Sequence, residues 1–172
     1  MGYLCCTKKI IDILGITCGQ YVPDEDISLL GPWYANVFSF KRKKCLIFTN
    51  AKTLFSFVVI NQTKKELKQI VNIFRRELLK RLQTEMIGDE VINKIMCDYE
   101  KVILCKTSDK RTLGSMNEFV FYFNVFCEME EGPESCDINK FNGELGGKIM
   151  KLNGEYIIPR EMLNEMIKNA KW

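Results

Sequence analysis

Residues 33–60, WYANVFSFKRKKCLIFTNAKTLFSFVVI, constrain the fold more than any other stretch, because they place three β-rich runs at close intervals. Val37 to Phe40, Cys45 to Phe48 and Leu54 to Ile60 are rich in aromatic and β-branched side chains, which fit a pleated, half-buried surface. KRKK and Asn50-Ala51-Lys52 separate them and suit hairpin turns. The simplest arrangement is a three-stranded antiparallel meander. Its tip, Lys41, Arg42, Lys43 and Lys44, would project four positive charges into solvent.

The run leads into the strongest helix signal of the chain. Thr63-Lys64-Lys65-Glu66 is a capping box, in which the threonine hydroxyl accepts from the third helical amide and the glutamate reaches back to the cap. Leu67, Ile70, Val71, Phe74, Leu78 and Leu82 follow at steps of three and four, one apolar stripe facing a core. The opposite surface carries Lys64, Lys65, Lys68, Arg75, Arg76, Lys80 and Arg81 against Glu66, Glu77 and Glu85, so the helix over 63–85 presents a basic face.

Upstream, YLCCTKKIIDILG reads as a strand from Tyr3 to Cys6 entering a helix with Thr7 as cap and Gly15 as stop. Adjacent strand residues point to opposite faces, so Cys5 and Cys6 read as small core residues and not as a redox pair. Gln20 to Pro32 lacks periodicity and reads as a surface loop. Downstream come a helix over Asp89 to Tyr99 and a strand over Val102 to Cys105. A second long helix starts at Ser108 or Asp109 and ends near Phe126, with Leu113, Met116, Val120, Phe123 and Cys127 inward. Glu128 to Asp137 is an acidic, Gly-Pro-broken linker whose Glu128, Glu130, Glu131, Glu134 and Asp137 form a candidate interaction segment. Asn153-Gly154 between β-rich flanks signals a type I′ hairpin, and Pro159 opens a last amphipathic helix.

KTSDKRTLGSMNEF, residues 106–119, breaks two local preferences. Gly114 costs about 1 kcal/mol relative to alanine inside a helix. Close packing against a neighbour is the favoured reason, and approach of a ligand is the other. Arg111 in a first helical turn faces the positive end of the macrodipole and calls for an anionic partner. That partner is either an intramolecular carboxylate such as Asp109 or an external phosphate or acidic surface.

At 172 residues with 47% apolar and 27% charged side chains, the chain can bury a core of ordinary size without staples. No run of eighteen apolar residues and no export signal is evident, so a cytoplasmic location with no membrane contact is expected. Eight cysteines in such a chain read as thiols, and no C-x-x-C pair provides metal-ligand spacing, so no cofactor is expected. The chain has no histidine, which excludes Ser-His-Asp and Cys-His catalysis. An enzyme would rest on lysine, tyrosine, carboxylates or a thiolate, for which Cys105 beside Lys106 is the one candidate with an adjacent cation.

CTKKIIDILG, WYANVFSFKRKKCLIFTNAKTLFSFVV and TSDKRTLGSMNEF together resemble an uncharacterised bacterial domain family, a domain of unknown function found in small cytosolic and mobile-element proteins. The resemblance spans about residues 3–126 and brings no catalytic residues. It implies that the part beyond Glu128 is an extension.

The expected fold is α+β. A mostly antiparallel sheet is covered on one face by the 63–85 and 109–126 helices in a 1–127 core domain, and residues 128–172 add the acidic linker, hairpin and helix. The expected function is non-catalytic binding of a protein or ribonucleoprotein partner. In its sharper form the chain is a phage- or mobile-element-encoded, anti-CRISPR-like inhibitor of a bacterial defence nuclease. The alternatives are an RNA- or DNA-binding module and a thiol- or lysine-dependent enzyme. Lys41, Arg42, Lys43, Lys44, Lys64, Lys68, Arg75, Arg76, Lys80 and Arg111 are the candidate contact residues.

Overall fold

The computed structural model describes residues 1–130 and 136–170. Strand β1 (Gly2–Cys6) enters helix α1 (Lys8–Leu14), and the two-residue β2 (Gly19–Gln20) precedes a loop to β3 (Trp33–Phe40). β3, β4 (Lys43–Asn50) and β5 (Ser56–Gln62) form the expected antiparallel meander. Helices α2 (Lys64–Leu67), α3 (Ile70–Thr84) and α4 (Asp89–Asp98) then lead to β6 (Val102–Lys106) and the long α5 (Lys110–Met129). Last come α6 (Ile138–Gly147), a hairpin of β7 (Met150–Leu152) and β8 (Glu155–Ile157), and α7 (Pro159–Lys168).

The fold is α+β, but its main sheet is mixed and not mostly antiparallel. Six strands lie in the order β2-β6-β1-β3-β4-β5, with β1 parallel to both β3 and β6 and β2 parallel to β6. The reason lies in β1, whose five residues are all buried. A strand apolar on both faces belongs in the middle of a sheet covered on both sides, where parallel neighbours are the norm.

The two main helices therefore cover opposite faces, which corrects the one-sided arrangement. Leu4, Cys6, Trp33, Phe48 and Phe57 point to a core shared with α3, α4 and α7, through Phe74, Ile95 and Leu163 among others. Tyr3, Cys5, Tyr34, Ile47 and Val58 point to a second core built with α5 and α6, through Phe123 and Phe141. Neighbouring residues of each strand alternate between the two cores. A single helical layer would have left one apolar face in water. Cys5 and Cys6 sit on opposite faces as expected.

Three further differences are local. The helix expected over 63–85 is broken at Gln69 (φ −106°, ψ 33°), although the capping box forms, with the Glu66 amide donating to Thr63 Oγ1 at 3.2 Å. α6 has no counterpart in the sequence reading, because INKFNGELGG carries three glycines that mask a helix pattern. Gly114 is exposed, and a Cβ there would meet no atom within 4 Å, so close packing does not explain it. The close approach is at Gly2 instead, where a Cβ would lie 2.3 Å from the Tyr99 ring. Tyr99 is held by donating to Gly31 O at 2.6 Å.

α6 closes the β5 edge. The Val58 amide donates to Asn142 Oδ1 at 2.7 Å, and Asn142 Nδ2 donates to Val58 O at 3.0 Å. Arg160, near the start of α7, holds Glu85 through Nε at 2.5 Å and Nη2 at 3.1 Å and also donates to Gly143 O at 2.9 Å. Among the described residues no helix is long and apolar enough to cross a membrane.

Candidate functional site

β1, β3, β5 and β6 all run the same way, since β4 reverses direction twice between β3 and β5. Their carboxyl ends therefore share one end of the sheet. Three helices leave that end, and each opens with two basic residues: Lys8-Lys9 on α1, Lys64-Lys65 on α2 and Lys110-Arg111 on α5. A cation in a first turn opposes the helix dipole. α4, by contrast, opens with Asp89-Glu90 and α7 carries Glu161, the ordinary choice.

The β3–β4 turn adds to the same end. Lys41 and Arg42 form a two-residue turn with both φ values positive, 43° and 70°. Type I′ turns usually use Asn-Gly for this geometry, so two long cationic side chains are held here in a conformation they rarely adopt. Lys43 and Lys44 are strand residues and half-buried, so the tip projects two charges and not four. Asn61, with φ 60°, lies beside the irregularity in the β4–β5 pairing at Lys44 and Leu46. Such bulges re-aim side chains next to functional sites.

These features meet in one concavity of about 490 Å³ lined by Arg42, Lys43, Lys44, Asn61, Gln62, Thr63 and Lys64. Lys44 also borders a second depression with Lys9 and Asp12, and Asp12 borders a third with Lys8 and Lys106. The result is a basic band across the carboxyl ends of the sheet. Glu66, the acid nearest its α2 end in sequence, is engaged by the Thr63 amide and hydroxyl, which hold its carboxyl below the usual range.

The remaining candidates scatter. Lys68 lines a separate depression with Leu14, Ile16 and Leu104. Arg75 is half-buried, Arg76 pairs with Glu77 at 3.1 Å, and Lys80 lies exposed farther along α3. At a 1.5 Å rise per residue Lys80 stands ~15 Å along the axis from Ile70. Arg81 is buried and donates to Asn139 Oδ1 at 2.8 Å, with burial pulling its pKa down. The basic side chains expected on one helix over 63–85 therefore belong to two helices, and Arg81 is not on the surface.

Arg111 has the intramolecular partner: its Nε lies 3.2 Å from Asp109 Oδ1, and Nη1 donates to Asn153 Oδ1. Asp109 caps α5. Burial would raise its carboxyl, but the Thr112 hydroxyl and the Arg111 amide and side chain hold it below the usual range. In the acidic segment Glu128 is exposed, Glu130 pairs with Lys140 at 2.9 Å, and Asp137 caps α6 by accepting from the Asn139 and Lys140 amides. Glu131 and Glu134 lie outside the described residues.

Sequence reasoning did not single out Lys8, Lys9 and Lys106, which line the depressions at this end of the sheet. The available signal was the basic pair that opens a helix soon after a strand, weighed against the helix dipole only at Arg111.

The thiols offer little accessible chemistry. All eight cysteines are free and only Cys97 is exposed. Cys105 stands opposite Cys5 in parallel register with the sulfurs 3.0 Å apart. The hydrogen bond given to Cys105 and then burial push the Cys5 thiol far up. That same bond, against burial, holds Cys105 below the ordinary value, yet its side chain is sealed in the core. Mild alkylation of native protein is expected to modify one thiol, Cys97, out of eight. Peptide mapping that found Cys105 modified first would revive thiol chemistry. Among the described residues no three Cys, Asp or Glu side chains gather as a metal site.

A mixed sheet covered on both faces, with basic residues gathered at its carboxyl ends, defines an α+β domain. The chain belongs to the family described as a domain of unknown function (DUF6933), whose model matches residues 3–162. The match runs past Glu128 through α6 and the hairpin, so that part belongs to the family domain and is not an extension of it. Comparison with curated proteins gives no match.

Proposed function

We propose that the protein is a non-catalytic, cytoplasmic binding protein that docks a phosphate-bearing macromolecule, RNA or DNA alone or within a ribonucleoprotein, across the carboxyl ends of its sheet. One observation carries this reading: three helices leaving that end each begin with a basic pair, against the dipole preference. Local stability disfavours that choice most plainly at α1, whose first turn has no acid, since Glu66 lies in the first turn of α2 and Asp109 pairs with Arg111 at α5, and an external anion would offset it. The strained Lys41-Arg42 turn points the same way.

The reading also bears on inhibition of a defence nuclease. A channel that holds nucleic acid is itself basic, so this surface would be repelled from the channel and would act on exposed guide RNA. A mobile-element origin is compatible with that role.

The test is fluorescence anisotropy with single-stranded RNA and duplex DNA at two salt concentrations. If about four phosphates of a single strand are neutralised, affinity falls roughly 50-fold between about 50 and 200 mM salt. Arg42→Glu with Lys64→Glu removes most of the low-salt affinity, whereas Lys80→Glu leaves it near wild type. No binding at low salt, or equal losses at Lys80, would overturn the proposal.

A further inference from the structure

A different observation concerns the junction of β1 and β6. The two strands are adjacent and parallel, yet α1 leaves β1 toward the face that holds Trp33 and α5 leaves β6 toward the face that holds Phe123. Their carboxyl ends thus part at a topological switch point, the place where open α/β sheets form ligand crevices. A cleft of about 460 Å³ lies there, within the size range of small-molecule sites. Lys8 follows β1, Lys106 ends β6 and Thr107 follows it, and Thr17 comes from the segment before β2.

The lining has a definite chemistry. Lys8 and Lys106 are exposed, and neither forms an ion pair among the described residues. The Thr17 and Thr107 hydroxyls supply donors and acceptors. Ile11 and Ile16 give an apolar wall, and Asp12 is the one carboxylate. We propose that this cleft binds a small phosphate monoester of nucleoside type, its phosphate between Lys8 and Lys106, its planar part on Ile11 and Ile16, and a hydroxyl or amino group donating to Asp12. The site binds and does not react: burial raises the Cys6 thiol far above its ordinary value and also raises Cys18, so both stay protonated.

Amide NMR of the full chain tests this with inorganic phosphate and a panel of ribonucleoside monophosphates as probes. Saturable shifts are expected at residues 17, 18, 106 and 107, with at least one nucleotide binding more tightly than phosphate. Lys8→Ala and Lys106→Ala each weaken it about tenfold or more, as expected for loss of a charged hydrogen-bond donor. Arg42→Glu with Lys64→Glu leaves the shifts unchanged, so this inference and the proposed macromolecular docking fail separately. The inference is overturned if no probe gives saturable shifts there, if phosphate binds as tightly as every nucleotide, or if well-folded lysine variants bind like wild type.

Discussion

Phe74→Ala and Phe123→Ala are each expected to cost about 3–5 kcal/mol in urea or thermal unfolding, among the largest single-residue effects in this chain. Phe74 packs its ring 5.5 Å from Trp33, 5.4 Å from Phe48 and 5.6 Å from Tyr99, on one face of the sheet. Phe123 meets Phe38 at 5.4 Å, Phe40 at 5.5 Å and Phe141 at 5.1 Å, on the other. Both rings are almost fully buried, so truncation loses transfer energy and also leaves a cavity that packed neighbours cannot close. An ordinary domain is stable by only about 5–15 kcal/mol, so either alanine variant approaches the folding limit.

The milder leucine pair decides the architecture. Phe74→Leu and Phe123→Leu should each cost roughly 1–2 kcal/mol. Because the sheet separates the two side chains and they share no contact, their effects should add within about 0.5 kcal/mol. One helical layer over one face would place both rings in the same core and give a coupling energy well outside that window. Clear non-additivity would therefore contradict a sheet covered on both sides.

Legibility of the fold from sequence followed the range of the interactions. The β3–β5 meander, the Thr63 capping box, the start of α5 at Ser108 or Asp109, of which Asp109 is the cap, and the Asn153-Gly154 turn, with φ values of 52° and 93°, depend on residues within a few positions of each other, and all were readable. Strand direction and layering depend on pairings such as Cys5 with Cys105, which no local pattern encodes. Even so, the continuous apolar run YLCC already implied burial on both faces. α6 was hidden by its glycines, since its helix is stabilised by the Asp137 cap and by Phe141 and Leu145 in the core rather than by propensity.

The candidate site was half legible for a related reason. Arg42, Lys43, Lys44 and Lys64 were all singled out, but as two separate devices, a hairpin tip and a helix face. Only the fold brings them to one concavity. Arg75 and Arg81 looked like members of the basic face because helical periodicity gives angle about the axis but not which neighbours arrive later. α6 supplies Asn139 to Arg81 from 58 residues away.

Asn142→Ala is expected to destabilise the protein by roughly 2–5 kcal/mol, far more than a typical asparagine, because it orphans two groups at once. Asn142 is 5% exposed, and its carboxamide bonds both the N–H and the C=O of Val58, as a neighbouring strand would. β5 ends the sheet, and a bare edge strand offers a template for pairing with other chains. Replacement by alanine leaves a buried donor and a buried acceptor without partners, and each costs about 1–3 kcal/mol. Asn142→Asp should fail for a distinct reason: it retains an acceptor for the Val58 amide, abandons the Val58 carbonyl and buries a charge. Glutamine keeps both functions but adds a methylene that must fit between α6 and β5, so it should recover only part of the loss. Hydrogen exchange locates the effect, since the Val58 amide should lose its protection before the β3 and β4 amides do. Unchanged Val58 protection in a folded Asn142→Ala variant would mean that α6 packing alone closes this edge, and the side-chain clamp would then have no energetic role.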